Sequence, residues 1–376
     1  MRYCKKCLNV DTRPNIKFSE DGICPPCQAK DIYIEYDWED RKSTLENIKN
    51  FAFENTSNGF NCIVGVSGGK DSTRQAFHIR DKFKLKPLLV SMNYPPEQIS
   101  MAGVDNLSNL ISNGFDCVNI SCGPKTWKKA MKYAFIEYGN WAKATEHALA
   151  ASVARMAIAY KIPLIWWGES PALSLGELGV SSNTPYDGSK LKYCNTLSGG
   201  DANWLLDAGI KANQLLQYKY PTDQEMKMAK LRIIYMDYFM KDFSHFINGN
   251  FAALRGLSLR KPNPNLDPDY YGISMLDEDF INTNMYMRYL KFGFGRATDI
   301  VNIEIRAGRM TRDQGIRIVN RFDGSYDPKL VESFCNYIEI SLNEFWSIAD
   351  KFVNKKLFRK ITNGKYERIF EVGKGI

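Results

Sequence analysis

A chain of 376 residues is long for one core and fits two domains with a small appendage. Its net charge of +8 favours an anionic partner, whether a nucleotide, a phosphorylated metabolite or RNA, without choosing among them. No apolar run reaches the ~20 residues of a membrane-spanning helix, and Met1 to Val10 lacks the apolar region of a signal peptide, so a cytoplasmic protein with no membrane partner is expected.

Nine cysteines make an odd count, and four stand in two pairs, Cys4-Lys-Lys-Cys7 and Cys24-Pro-Pro-Cys27. In a reducing compartment such pairs point to a metal rather than to disulfides. Each CxxC turn sets two thiolates on one side of a knuckle, and two turns complete the four-sulfur tetrahedron that Zn²⁺ accepts. The polar segment between them is too short for a core, so the metal is expected to supply much of its folding energy, on the order of 10 kcal/mol. A closed four-sulfur shell leaves no position for a substrate, and residues 1–40 read as a structural zinc segment.

From Asn61 onward, strand-like runs alternate with amphipathic ones. Cys62 to Val66 reads as a strand, 72–83 as a helix, Pro87 to Met92 as a strand, and 97–113 as a helix ended by Gly114. Phe115 to Ser121 is a third strand, Thr126 to Tyr160 holds two helices, and Ile162 to Gly168 is a fourth strand. Such βαβ alternation predicts a parallel sheet covered on both faces, with ligands at the carboxyl ends of its strands. Residues 41–220 are therefore expected to form an α/β domain. Past Glu169 comes a glycine- and serine-rich loop, and from about Thr222 the chain reads as predominantly helical. Thr311 with Gln314 and Ser341 with Glu344 form capping boxes that open two of those helices. Residues 221–376 are read as a helical lobe for substrate or partner.

The first strand runs into Ser67-Gly-Gly-Lys-Asp-Ser72. A glycine turn between strand and helix presents backbone N–H groups and a positive dipole end to an anion, and phosphate is the natural guest. Lys70 is followed by Asp71 rather than by a hydroxyl residue, which excludes the Walker loop. The run resembles the SGGxDS loop of the PP-loop N-type ATP pyrophosphatase superfamily, whose fold is adenine nucleotide α-hydrolase-like. That resemblance implies that Ser67, Gly68, Gly69, Ser72 and Thr73 cradle the pyrophosphate of ATP, with Asp71 near its Mg²⁺. Asn93 ends the second strand, where adenosine often lies in such folds. A second copy, Leu197 to Asp201, follows no strand and reads as an ordinary turn.

CxxC pairs together with SGGxDS occur both in tRNA-thiolating enzymes and in amide- and amidine-forming ones. Cys62, Cys117 and Cys335 read as core thiols, which leaves Cys122 and Cys194 as the redox candidates for thiolation. The runs Tyr289 to Asp299 (YLKFGFGRATD), Ile305 to Gln314 and Phe322 to Gly324 resemble the N-acetyl sugar amidotransferase family of lipopolysaccharide O-antigen and nonulosonic acid pathways. The opening cysteine pairs and the SGGKDS loop are similar to that family too. The resemblance implies conversion of an acetamido group on an N-acetyl sugar to an acetamidino group, with ATP and ammonia. Lys291 and Arg296, flanked by glycine and aromatic residues, are expected beside Lys70, Asp71 and Glu169 as catalytic groups. Thr298 reads as a helix N-cap with Asp299 in the first turn. Arg306 and Arg309 suit a sugar carboxylate or a diphosphate, and Arg312 a solvated face. Glu169 closes the fourth strand, where it orients substrate, metal or ammonia, or is a solvated loop acid; Glu177 ranks below it. No cysteine stands in a glutaminase context, residue 2 is arginine, and the histidines are His78, His147 and His245. A separate glutaminase is therefore expected, and the resemblance implies one similar to that of histidine biosynthesis with a cyclase-like ammonia conduit. A nucleic-acid partner is not expected.

Overall fold

Central strands that are apolar on both faces need cover on both sides, and the chain supplies it. The structure is a computed structural model that describes residues 1–34, 38–56, 59–180, 182, 184–261, 263–266 and 272–376. Residues 35–37 of the expected zinc segment, and 181 and 183 of the glycine- and serine-rich loop, lie outside the described residues. Strands β1 (Cys62–Gly65), β2 (Pro87–Asn93), β3 (Cys117–Ser121), β4 (Leu164–Trp167) and β5 (Arg232–Tyr235) form one parallel sheet in the order β3-β2-β1-β4-β5. Its helices before the last strand are α1 (Pro25–Ile34), α2 (Trp38–Glu54), α3 (Lys70–Asp81), α4 (Met101–Ser112), α5 (Pro124–Tyr138), α6 (Ala142–Ala159), α7 (Pro171–Ser174) and α8 (Asp223–Met228). After it come α9 (His245–Ala253), α10 (Ile281–Phe292), α11 (Arg296–Arg306), α12 (Arg312–Phe322), α13 (Pro328–Ile338), α14 (Leu342–Phe352) and a hairpin of β6 (Phe358–Thr362) and β7 (Lys365–Arg368).

The period of two along each strand sorts side chains between two cores. Cys62, Val64, Leu89, Leu164, Trp166 and Ile234 pack with Ile48 of α2, Phe77 of α3 and Leu110 of α4. Ile63, Leu88, Val90, Ile165 and Ile233 face the other way, onto α5 and α6, and that core continues into Phe334 of α13 and Phe345 of α14. The strand order reverses between β1 and β4, so the crevice beyond their carboxyl ends is the switch point at which open α/β sheets bind ligands.

The four expected strands are all present. A fifth strand, β5, was not among those expected, and it falls past residue 220 in the stretch read as helical. Arg-Ile-Ile-Tyr is too short to declare a period, and its pairing with β4 decides the outcome. The closing hairpin, turning at Gly364 with φ +73°, was missed in the same way. The segment around the cysteines also packs onto the C-terminal helices: the Leu8 N–H donates to Asn302 Oδ1 at 2.7 Å and Thr12 Oγ1 to the Phe292 carbonyl at 2.5 Å.

A buried ion triad fastens that junction. Asp299 on α11 meets Arg13 at 2.5 Å and Arg288 of α10 at 2.7 Å, and both guanidiniums lie over the Phe294 ring. Burial would raise the Asp299 carboxyl, but Arg288 and Arg13 overcome it and hold it well below the usual carboxylate range. Asp299→Asn leaves two cations short of a counter-charge and is expected to destabilise the fold by about 3–5 kcal/mol in urea denaturation at pH 7. Because the folded pKa is depressed, the stabilisation is full above the unfolded value of ~3.9 and lost as pH falls below it. The gap between wild type and variant should hold from pH 7 to pH 5 and shrink below pH 4; a gap unchanged at pH 3 contradicts the assignment.

Candidate active site

β1 delivers the chain to a turn, Val66 to Gly69, and α3 leaves from Lys70 with Gly69 as its N-cap. No side chain caps this helix start, so its first N–H groups are available to an anion. Gly68 turns the chain at φ +83°, and a Cβ there would lie 2.6 Å from the Gly103 carbonyl oxygen. Asn106 Nδ2 donates to the Gly68 carbonyl at 2.9 Å and fixes the turn from α4.

The turn opens onto a cavity of about 410 Å³ at the switch point. Ser67, Gly69, Lys70, Asp71 and Ser72 line one wall, Trp166 to Glu169 the end of β4, and Asp277, Arg288 and Arg296 the C-terminal side. Lys70 is buried and donates to Asp71 Oδ2 at 2.6 Å, while Asn248 Nδ2 donates to Asp71 Oδ1 at 2.7 Å. Burial alone would raise Asp71, but the Lys70 charge and the Asn248 hydrogen bond win and hold it ionised. Glu169 is raised by desolvation and then by the nearby Asp71 charge. Asp237, just past β5, is pushed up to about 7 by desolvation, against the hydrogen bond it accepts from the Ser170 N–H at 3.0 Å. Desolvation also raises Asp277, which is hydrogen-bonded to Ser67.

Sequence reasoning gave Asp237 and Asp277 no part. Asp237 follows the unrecognised strand β5 as Glu169 follows β4, so recognising that strand would have found it. Asp277 carries no local signal, since it reaches the turn only through the tertiary fold.

Arg296 begins α11 and lines the cavity, and its buried Nε has no hydrogen-bond partner among the described residues. The helix is not capped by Thr298. Its N-cap is Gly295, and Asp323 supplies the missing acceptors: Oδ2 takes the Gly295 N–H at 2.7 Å and Thr298 Oγ1 at 2.5 Å, and Oδ1 takes the Ala297 N–H at 2.9 Å. A cap from 28 residues away leaves no trace in local spacing.

A second cavity, about 620 Å³, shares Leu149, Trp167 and Arg288 with the first. Lys291 lies there rather than beside the turn, donating to the Tyr138 carbonyl at 2.6 Å with its pKa lowered by desolvation. Glu177 and Cys194 line it too. Thr73 is turned inward, its hydroxyl donating to the Gly69 carbonyl at 2.9 Å. Asn93, Asp299, Arg306 and Arg309 line neither cavity. Arg306 donates to the Ser174 carbonyl at 2.9 Å and Arg309 pairs with Glu304 at 2.6 Å. α11 points its N-terminus at the cavity, which puts its other end ~15 Å away.

The four paired cysteines do converge. Their sulfurs all lie within 4.8 Å of one another, with Cys7 and Cys24 at 3.6 Å, near the ~3.8 Å that tetrahedral Zn–S bonds of ~2.3 Å require. Backbone N–H groups of Asn9 and Cys24 point at the sulfurs of Cys7 and Cys4 at 3.4 and 3.3 Å, as outer-shell donors do. The cluster could hold a structural zinc ion. Cys122 and Cys194 differ: burial pushes their thiols up to about 11 and about 12, away from the thiolate that sulfur transfer needs. Among the described residues no helix is long and apolar enough to cross a membrane.

Residues 269–371 match the family model described as LPS biosynthesis protein WbpG-like, C-terminal domain. That segment contains Asp277, Arg288, Lys291 and Arg296, and the match supports a role in lipopolysaccharide biosynthesis. No curated protein matches the chain.

Purified protein is expected to carry a single zinc ion per chain by elemental analysis, and Cys24→Ser to lose it. A strong chelator should lower the melting temperature of wild type but not of the variant. Metal-free wild type that melts identically with and without chelator contradicts the zinc assignment.

Proposed function

We propose that the chain is an ATP-dependent amidotransferase of the PP-loop kind, which turns the acetamido group of an N-acetyl sugar, free or nucleotide-linked, into an acetamidino group for O-antigen or nonulosonic acid synthesis. The observation that carries this reading is the uncapped glycine turn Ser67–Ser72 at the switch point, facing Arg296 from the WbpG-like segment across one cavity. No observation favours the tRNA-thiolation alternative.

An amide carbonyl is a poor electrophile, because its nitrogen donates into it. Adenylation removes that protection: the acetamido oxygen attacks the α-phosphorus, pyrophosphate departs, and ammonia then displaces AMP. The first N–H groups of α3 hold the departing pyrophosphate, and Lys70 and Arg296 offset its growing charge. Asp71, ionised and open to the cavity, is the group to hold Mg²⁺, which typically takes one or two carboxylates together with substrate phosphates. That fits a site in which the described residues form no cluster of three acids. Magnesium would neutralise the nucleotide's charge. Glu169, kept protonated more readily by its surroundings, is placed to donate a hydrogen bond rather than to bind metal. Ammonia comes from a separate glutaminase through a conduit protein. Holding sugar and nucleotide in line contributes ~7 kcal/mol in favourable cases.

The test is a high-resolution mass measurement on the sugar recovered after incubation with ATP, Mg²⁺ and an ammonium salt. The expected product is slightly lighter and more basic than the substrate, formed with AMP and pyrophosphate, and Asp71→Asn should slow it by ~10²-fold or more. Release of ADP and phosphate, or full turnover by the variant, contradicts the proposal.

A further inference from the structure

No residue of the glycine turn lines the second cavity, yet its walls are not those of an idle void. Asn140 and Asn284 line it, each with a buried Oδ1 that accepts no hydrogen bond among the described residues, and Asn284 is 7 % exposed. Buried acceptors left unpaired cost ~1–3 kcal/mol each, so a ligand with hydroxyl or amide donors is the expected partner. Trp167 and Phe292 supply apolar faces beside them. The chamber meets the nucleotide cavity along Leu149, Trp167 and Arg288.

We infer that this chamber holds the acetamido sugar, with its acetyl group at the Trp167–Arg288 junction, and that Glu146 is the general base for the attack of ammonia. The inference rests on the proposed amidotransferase reaction and adds a place and a residue to it. Glu146 lies on α6, exposed to the chamber. Charged and titratable groups face it from every side: Lys143 on its own helix, Glu177 and Cys194 from the loops, Arg288 from α10 and Tyr94 after β2. Desolvation and then Glu177 raise its pKa to about 7, against Thr196, Arg288 and Lys143. A carboxyl so tuned exchanges protons near neutral pH.

In the step, the ammonia lone pair forms the new C–N bond at the carbon of the adenylylated, N-protonated imidate. Glu146 takes one proton from the resulting ammonium nitrogen. The C–O bond to phosphate then breaks, AMP leaves with the electron pair, and the product is the amidinium. Glu146 returns its proton to solvent.

Glu146→Gln and Asn284→Leu test this in the full chain with ATP, Mg²⁺, ammonium chloride and a panel of UDP-linked and free 2-acetamido sugars. Glu146→Gln is expected to release pyrophosphate in the first turnover within about threefold of wild type, while amidine formation falls ~10²–10⁴-fold. At a fixed concentration of free ammonia, the wild-type rise in amidine rate with pH through about 7 should vanish in the variant. Asn284→Leu should raise KM for the sugar ~tenfold and leave KM for ATP unchanged. Amidine formation by Glu146→Gln near the wild-type rate overturns the base. Equal loss of pyrophosphate and amidine assigns Glu146 to the first step and overturns it as well. A wild type that releases pyrophosphate with none of the sugars removes the proposed reaction itself, and this inference with it. Unchanged sugar KM in Asn284→Leu overturns the chamber alone.

Discussion

Three stretches of backbone meet at the site with no room for a side chain between them. A Cβ on Gly68 would come within 2.6 Å of the Gly103 carbonyl oxygen, and a Cβ on Gly103 would come as close to that of Asp277. The glycine turn, the start of α4 and the segment before α10 are thereby stacked in direct contact. Ser100 stitches the stack: its hydroxyl donates to the Leu276 carbonyl and accepts the Gly103 N–H, while its own N–H reaches the Asp277 carbonyl at 3.2 Å. This contact closes one cavity from two halves of the chain that the sequence keeps 200 residues apart, on the order of a domain length. Without it, the turn would be one surface loop and the WbpG-like segment another.

Charge in the site is divided by what each carboxylate finds nearby. Asp71 and Asp299 each have cations in contact and stay ionised despite burial. Glu169, Asp237, Asp277 and Glu278 lack such a contact, and desolvation raises all four, with Asp71 adding to it at Glu169, Glu169 at Asp237 and Asp277 at Glu278. The net positive charge of the chain therefore says little about the chemistry. What matters is which cations line the cavity: Lys70, paired with Asp71, and Arg296, which keeps a buried N–H unpaired at the wall. Arg288 adds a link to the cysteine segment, because the Asp299 it holds also holds Arg13.

Elements with a full hydrophobic period or a glycine boundary were legible in the sequence: β1 to β4, α3 to α6, both capping boxes and the convergence of the four cysteines. What depends on a distant partner was not. β5 is defined by β4, and the cap of α11 by Asp323. Spacing alone made Arg306 and Arg309 look like neighbours of Arg296, but the axis of α11 carries them away from the cavity. Lys291, five residues before Arg296 in sequence, stands in the last turn of α10 and reaches the Tyr138 carbonyl in the other chamber. That chamber is assembled from α5, α6, α10 and the loops between β4 and β5, and no single stretch of sequence announces it.

The proposed reaction requires the glycine turn to grip the β- and γ-phosphates of ATP so that the α-phosphorus faces an acetyl oxygen. A crystal structure with Mg²⁺ and an ATP analogue carrying a methylene bridge between the α- and β-phosphates tests it most directly. The two terminal phosphates are expected against the N–H groups of Gly69 to Ser72, with Arg296 within hydrogen-bonding distance. Nucleotide bound elsewhere, with the turn vacant, would contradict it.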